Sequence, residues 1–145
     1  MTERVSPITN CWDNGISPSR LDGEAIDLFL PEDPDRDWFY SHHPYLTLFK
    51  GRYYAMWSNG WRHEDDVGQR VVYCTSADFA KWMQPEVLVP TARGKHSDLV
   101  RYPEGWHQHE GTLVAYYTQY EYEPDALVVR AGALNDGGAV RVIDG

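Results

Sequence analysis

From His43 onward the apolar positions fall into short runs that are rich in aromatic and β-branched residues and are cut by turn residues. Pro44-Tyr-Leu-Thr-Leu-Phe49 leads into Lys50-Gly51, and Arg52-Tyr-Tyr-Ala-Met-Trp-Ser58 ends on Asn59-Gly60. An Xaa-Gly step between two such runs is a hairpin signal, because glycine takes the left-handed backbone that a tight turn between twisted strands requires. Gln69-Arg-Val-Val-Tyr-Cys-Thr-Ser76 reads as a third strand. Pro85-Glu-Val-Leu-Val-Pro90 reads as a short fourth, with prolines that suit a sheet edge. The pattern predicts strands near 44–50, 52–58, 69–76, 98–106, 112–120 and 126–133 in an all-β chain.

The pattern also repeats. Gly51-Arg-Tyr-Tyr-Ala-Met-Trp57 aligns with Gly111-Thr-Leu-Val-Ala-Tyr-Tyr117, 60 residues on, with Ala55 and Ala115 in register. Leu127-Val-Val-Arg-Ala131 then takes the role of Val71-Val-Tyr-Cys-Thr75. A repeat four antiparallel strands long is a β-propeller blade. The fold class expected is therefore a partial β-propeller, two or so blades of a larger one, since closure takes about 4–8 blades. Residues 1–40, punctuated by Pro7, Gly15, Pro18, Gly23, Pro31 and Pro34, are expected to be irregular, with 41–145 forming the incomplete propeller. Within the irregular part, Glu24-Ala-Ile-Asp-Leu-Phe-Leu30 is apolar enough for a strand or a single helical turn.

Composition changes this picture in two ways. Six Trp, ten Tyr and four Phe among 145 residues are an unusual share; such rings fill cores and also stack on the apolar faces of sugars, and their number alone does not choose between the two. The formal net charge of -9, without a cluster of Lys or Arg, excludes the counterion-releasing surface of a nucleic-acid binder. No apolar stretch approaches a membrane span and no leader-like run opens the chain, so the expectation is a cytoplasmic protein without a membrane partner. Cys11 and Cys74 are read as free thiols, and no nucleotide or nucleophile-elbow motif is present, so no cofactor is expected.

Ser76-Ala-Asp78-Phe-Ala-Lys-Trp82 resembles the Asp-box of sialidase-type propellers, which implies a structural turn capped by Asp78 rather than a catalytic one. His42-His43-Pro44 precedes the first strand and His63 follows the second, 20 residues after His43. A hairpin returns to the end it left, so the histidines are expected on one rim, where imidazole can move protons near neutral pH. His-His-Pro, the aromatic strand Tyr53-Tyr-Ala-Met-Trp57, His63 and the run Glu64-Asp-Asp-Val-Gly-Gln69, with Arg101-Tyr-Pro-Glu-Gly-Trp106 after them, are similar to the amino-terminal region of BNR-repeat polysaccharide lyases that cleave ulvan or rhamnose–glucuronate linkages.

That resemblance implies β-elimination next to a uronic acid in a poly- or oligosaccharide. His43 and His63 would be the acid/base pair, with His42 in reserve because strand register decides which neighbour faces the site. Arg101 would bind the carboxylate, Trp57 or Trp61 would offer a stacking face, and Tyr102, Tyr116, Tyr117 and Tyr120 compete for the catalytic tyrosine. Two alternatives stand beside it: a sialidase-like or five-bladed glycoside hydrolase using Asp13, Asp65, Asp66 or Glu121, and a glycan-binding or assembly module without chemistry. Glu64-Asp65-Asp66 and the alternating His107/His109 have metal-ligand chemistry, but read as an acidic turn and a polar hairpin tip, so no metal is expected.

Overall fold

The computed structural model describes residues 23–31, 38–122 and 136–142. Among them lie seven strands: β1 (Tyr40–Phe49), β2 (Arg52–Gly60), β3 (Arg70–Ser76), β4 (Glu86–Val89), β5 (Val100–His109), β6 (Thr112–Tyr120) and β7 (Asp136–Val142). They form two sheets, β1-β2-β3-β4 and β5-β6-β7, antiparallel throughout. These are successive propeller blades. The strand expected at 126–133 and Cys11 lie outside the described residues. β7 is a strand the sequence pattern did not show, and it supplies the third strand of the second blade.

The two inner hairpins turn in the same way. Lys50 and Gly51 have φ of 48° and 76°, and Glu110 and Gly111 have 46° and 74°. Two consecutive positive φ values make the tight turn whose twist matches that of the flanking strands. The 60-residue repeat is thus a repeat of backbone conformation as well as of residue type.

Alternation along β2 sends Tyr54 and Met56 toward the second sheet, and Ala55 and Trp57 away from it. Between the sheets, Met56, Val71 and Val89 meet Ala115, Trp106, Tyr117 and Val140, and beside them Phe49 and Tyr54 pack on Leu113. Trp106 Nε1 donates to Tyr45 O at 3.2 Å, and Gln108 Nε2 donates to Thr47 Oγ1 at 3.0 Å and to Leu48 O at 2.9 Å. The inner strand of one blade is thereby tied to that of the next.

The outward face of the first sheet carries Ala55, Trp57, Val72 and Cys74, covered in part by Leu28, Phe29 and Trp82. Ala55 occupies there the place that Ala115 holds in the second sheet. The outward face is therefore the repeat equivalent of the face by which the second blade packs on the first. The segment 23–31, expected as a strand or a helical turn, is neither: it is irregular backbone laid over this face, held by Leu28 and Phe29 rather than by a ladder.

The Ser76–Trp82 turn forms as its residues require. Asp78 Oδ1 accepts from the backbone N–H of Ala80 at 3.0 Å and of Lys81 at 2.8 Å, and Trp82 Nε1 donates to Phe79 O at 3.0 Å. These N–H donors hold the Asp78 carboxyl below its ordinary value, Lys81 contributing most.

Candidate functional site

One rim gathers the beginnings of β1, β3 and β5 and the ends of β2 and β6, since Tyr40 pairs with Gly60, Arg70 with Asn59 and Val100 with Tyr120. The loop of residues 61–69 crosses the same rim. A regular strand would send His42 and His43 to opposite faces. The β1–β2 register shifts between His42 and Tyr45, and His43 sits at φ 51°. The bulge brings the two rings to 4.1 Å between centroids. A left-handed backbone costs a non-glycine residue about 1–2 kcal/mol, and a following proline disfavours it further. Strain of this kind persists where the surroundings enforce it, which is commonly a functional site.

Gln69 fixes the neighbouring His42. It is fully buried, donates from Nε2 to Arg101 O at 3.0 Å, and turns Oε1 toward His42 Nε2 at 3.0 Å. Arg101 N returns a bond to Gln69 O at 3.2 Å. With its nitrogen committed to a carbonyl, the amide accepts from His42, so His42 carries its proton on Nε2 and directs Nδ1 the other way. Nδ1 meets Glu64 Oε1 at 3.5 Å, and the same oxygen lies 3.9 Å from His43 Nε2.

Across the blade boundary the Tyr102 ring stands 5.6 Å from that of His43, and Tyr120 and Tyr122 continue the row at 5.7 and 5.6 Å. Tyr122 donates to Asp65 O at 3.0 Å. Burial first, and then the carboxylates of Asp65 and Glu104, push the Tyr102 hydroxyl above its usual range, and burial does the same to Tyr120. Both are therefore phenols that keep their protons at ordinary pH.

The residues singled out in the sequence are divided by the fold. His42, His43 and Tyr102 come together. The His63 side chain is 75% exposed and its Nδ1 lies 3.0 Å from Asp66 Oδ1; Glu64, the next residue, is what reaches the histidine pair. Arg101 holds Gln119 Oε1 through Nε at 2.9 Å, reaches Pro90 O through Nη1, and lies over the Tyr117 ring at 5.7 Å. Trp57 is 5% exposed with Phe29 against it at 6.2 Å, so its ring face is covered by protein. Trp61 sits edge-on to Trp38 at 5.9 Å and stays partly open.

Of the carboxylates weighed for hydrolysis, Asp66 accepts from the N–H groups of Arg62 and His63, and Glu121 from those of His96 and Ser97. Both cap loops. The His96 N–H, ahead of the others, holds Glu121 below its ordinary value. Asp13 lies outside the described residues. Gln69 is the member of the cluster that sequence reasoning missed, and Glu64 was weighed there only as part of an acidic turn. The one local signal was the His-His-Pro run itself, whose proline makes a regular strand at His43 costly to continue.

No curated protein matches this chain. Among solved structures one described as "Sialidase" is similar, with a TM-score of 0.51 and 18% identity over 57% of this chain. The match spans only 9% of that structure's length, and at this identity it shows a shared fold. The family model described as BT_1020-like, N-terminal beta propeller matches residues 30–114, which contain the whole first blade, the rim loop and the histidine–tyrosine row as far as Tyr102. The chain belongs to the BT_1020-like N-terminal beta propeller family.

Proposed function

We propose that this rim is a glycan-processing site and that its chemistry is β-elimination next to a uronic acid. The observation that carries the reading is the strained His43, held beside Glu64 and facing the neutral phenol of Tyr102 at 5.6 Å. His43 takes the C5 proton of the uronate. The electron pair forms the C4–C5 double bond, the C4–O glycosidic bond breaks, and Tyr102 gives its proton to the departing oxygen. A uronate carboxylate would meet the Nη2 edge of Arg101, because Nε and Nη1 are engaged elsewhere. Trp61 offers the open aromatic face for a sugar. His63 is the second histidine of this reading, and it takes part only if it releases Asp66. The likeness to a sialidase supports a carbohydrate partner.

We also infer that further blades cover the outward face of the first sheet, since the second sheet uses the equivalent face to pack on the first.

The chain is tested with uronate-containing polysaccharides by following the ultraviolet absorbance of the unsaturated uronate. His43→Ala and Tyr102→Phe should each lower its formation by about 10²–10⁴-fold, the usual worth of a positioned acid or base. Full activity in His63→Ala would remove that residue from the chemistry. New reducing ends without the chromophore would replace elimination by hydrolysis.

A further inference from the structure

We propose that His42, His43 and Glu64 form a binding site for a transition-metal cation of the Zn²⁺ class, and that the cation and proton transfer at His43 exclude each other. The site departs from the expectation, drawn from the sequence, of no metal. Only the second half of the proposal rests on the function proposed above.

One ligand atom from each of the three residues lies within 4.8 Å of the other two, and the His42 Nδ1 and His43 Nε2 distances to Glu64 Oε1 are 3.5 and 3.9 Å. Bonds of about 2.0–2.1 Å in tetrahedral geometry put neighbouring ligand atoms roughly 3.3 Å apart. The contraction required is small, and Glu64, a half-exposed loop side chain, has room to make most of it. Two imidazoles with one carboxylate suit zinc and its neighbours in the transition series rather than Ca²⁺ or Mg²⁺. Water would complete the coordination.

The second observation is the hydrogen bonding of His42. A metal-ligating histidine donates its other ring N–H to a fixed acceptor, which sets the tautomer and aims the lone pair. Gln69 is that acceptor here, buried and oriented by Arg101 O. Its effect is to point an imidazole lone pair at a carboxylate oxygen. Two acceptors facing each other at 3.5 Å repel, and a cation bound between them removes that repulsion. The left-handed backbone at His43 pays the strain that brings the second imidazole to the same oxygen. The other histidine pair lacks these features: His107 and His109 stack at 6.0 Å on an exposed strand end, and His109 meets the exposed Glu110.

The His43 nitrogen that would hold the cation is the one that would take the C5 proton, so Zn²⁺ must inhibit elimination.

The test is calorimetric titration of the tag-free 145-residue chain with ZnCl₂, together with the visible absorption of Co²⁺ as a report of coordination geometry. One equivalent should bind, with tetrahedral Co²⁺ bands, and Glu64→Gln and His43→Gln should each weaken binding at least tenfold. The double variant His107→Ala/His109→Ala should bind as the parent does. Glu64→Gln changes a half-exposed loop side chain and keeps its shape, so it carries the test if His43→Gln fails to fold by circular dichroism. Absence of binding, unchanged affinity in Glu64→Gln, or loss of affinity in the His107/His109 variant would overturn the site. Binding is read without substrate and elimination is read in chelator, so either half can fail alone. Elimination that Zn²⁺ leaves unaffected at saturating occupancy would overturn the exclusion.

Discussion

Asp78 and Cys74 show how single side chains here are tuned by what surrounds them. Asp78 has an ordinary value of 3.8 and lies below it in the folded chain, because its charged form accepts backbone N–H bonds from Lys81 and Ala80. A carboxylate depressed in this way contributes stability that is fully present above 3.8 and is lost as pH falls through the lower folded value. The denaturation midpoint of the parent should exceed that of Asp78→Asn at neutral pH. The gap should narrow below about pH 4, as protonation of the parent makes the two side chains equivalent. A gap independent of pH would place the effect in something other than the charge. Cys74 is moved the opposite way, to about 11, by burial on the outward face of the first sheet. The folded chain should therefore react with an alkylating agent at pH 8 through Cys74 far more slowly than the denatured chain, read by mass spectrometry of the Cys74 peptide.

The elements were legible wherever a strand alternates or a turn needs glycine. β2, β3 and β6 lie within a residue or two of their expected ends, and Lys50-Gly51 and Glu110-Gly111 form the turns their residues demand. β1 begins four residues earlier than expected, because Pro44 was read as a boundary and is instead passed by the bulge. β7 escaped notice because Asp-Gly-Gly-Ala carries almost no strand signal. Its glycine answers to packing: a Cβ on Gly138 would run into the Tyr117 ring and hydroxyl. The rim was half legible. Histidines at both ends of a hairpin belong on one rim, but which of them meet depends on a bulge, and the role of Gln69 depends on a contact 32 residues away with Arg101. The bulge leaves only the His-His-Pro run as a local trace, and the Gln69 contact leaves none. The alternation in β2 itself makes a sharp prediction. Met56, with 0% exposure between the sheets, should cost about 2–5 kcal/mol on change to Ala. Leu46→Ala on the half-open face should stay within about 0.5 kcal/mol, both by chemical denaturation. Equal costs would mean that the contact between blades does not hold the described fold together.

At the scale of the molecule the two faces of the first sheet are treated unequally. One is sealed by the second blade. The other bears Leu46 and Leu48 at 54% and 52% exposure, with Val87, Phe79 and Met83 also exposed, beside the buried Trp57 and the partly buried Trp82. Contiguous apolar surface of this kind is uncommon on a monomer and marks a surface that pairs with something. The repeat identifies the sort of thing, since Ala115, Leu113 and Tyr117 of the second blade use the corresponding face to pack on Met56 and Tyr54. A blade-like sheet is the complementary surface, whether from further chain or from a second copy. The net charge of -9 opposes association at long range but is screened beyond about 8–10 Å at physiological ionic strength, so salt should promote association here. In isolation the 145 residues should sediment as a concentration-dependent oligomer, larger at higher salt, and should enhance the fluorescence of an apolar dye. Leu46→Lys/Leu48→Lys should shift the sedimentation toward monomer and lower the dye signal while the β-sheet circular dichroism is kept, because both side chains point away from the contact between blades. A monodisperse parent that unfolds cooperatively and ignores the dye would show that the outward face is already satisfied by the chain itself, and the argument for a covering blade would fall with it.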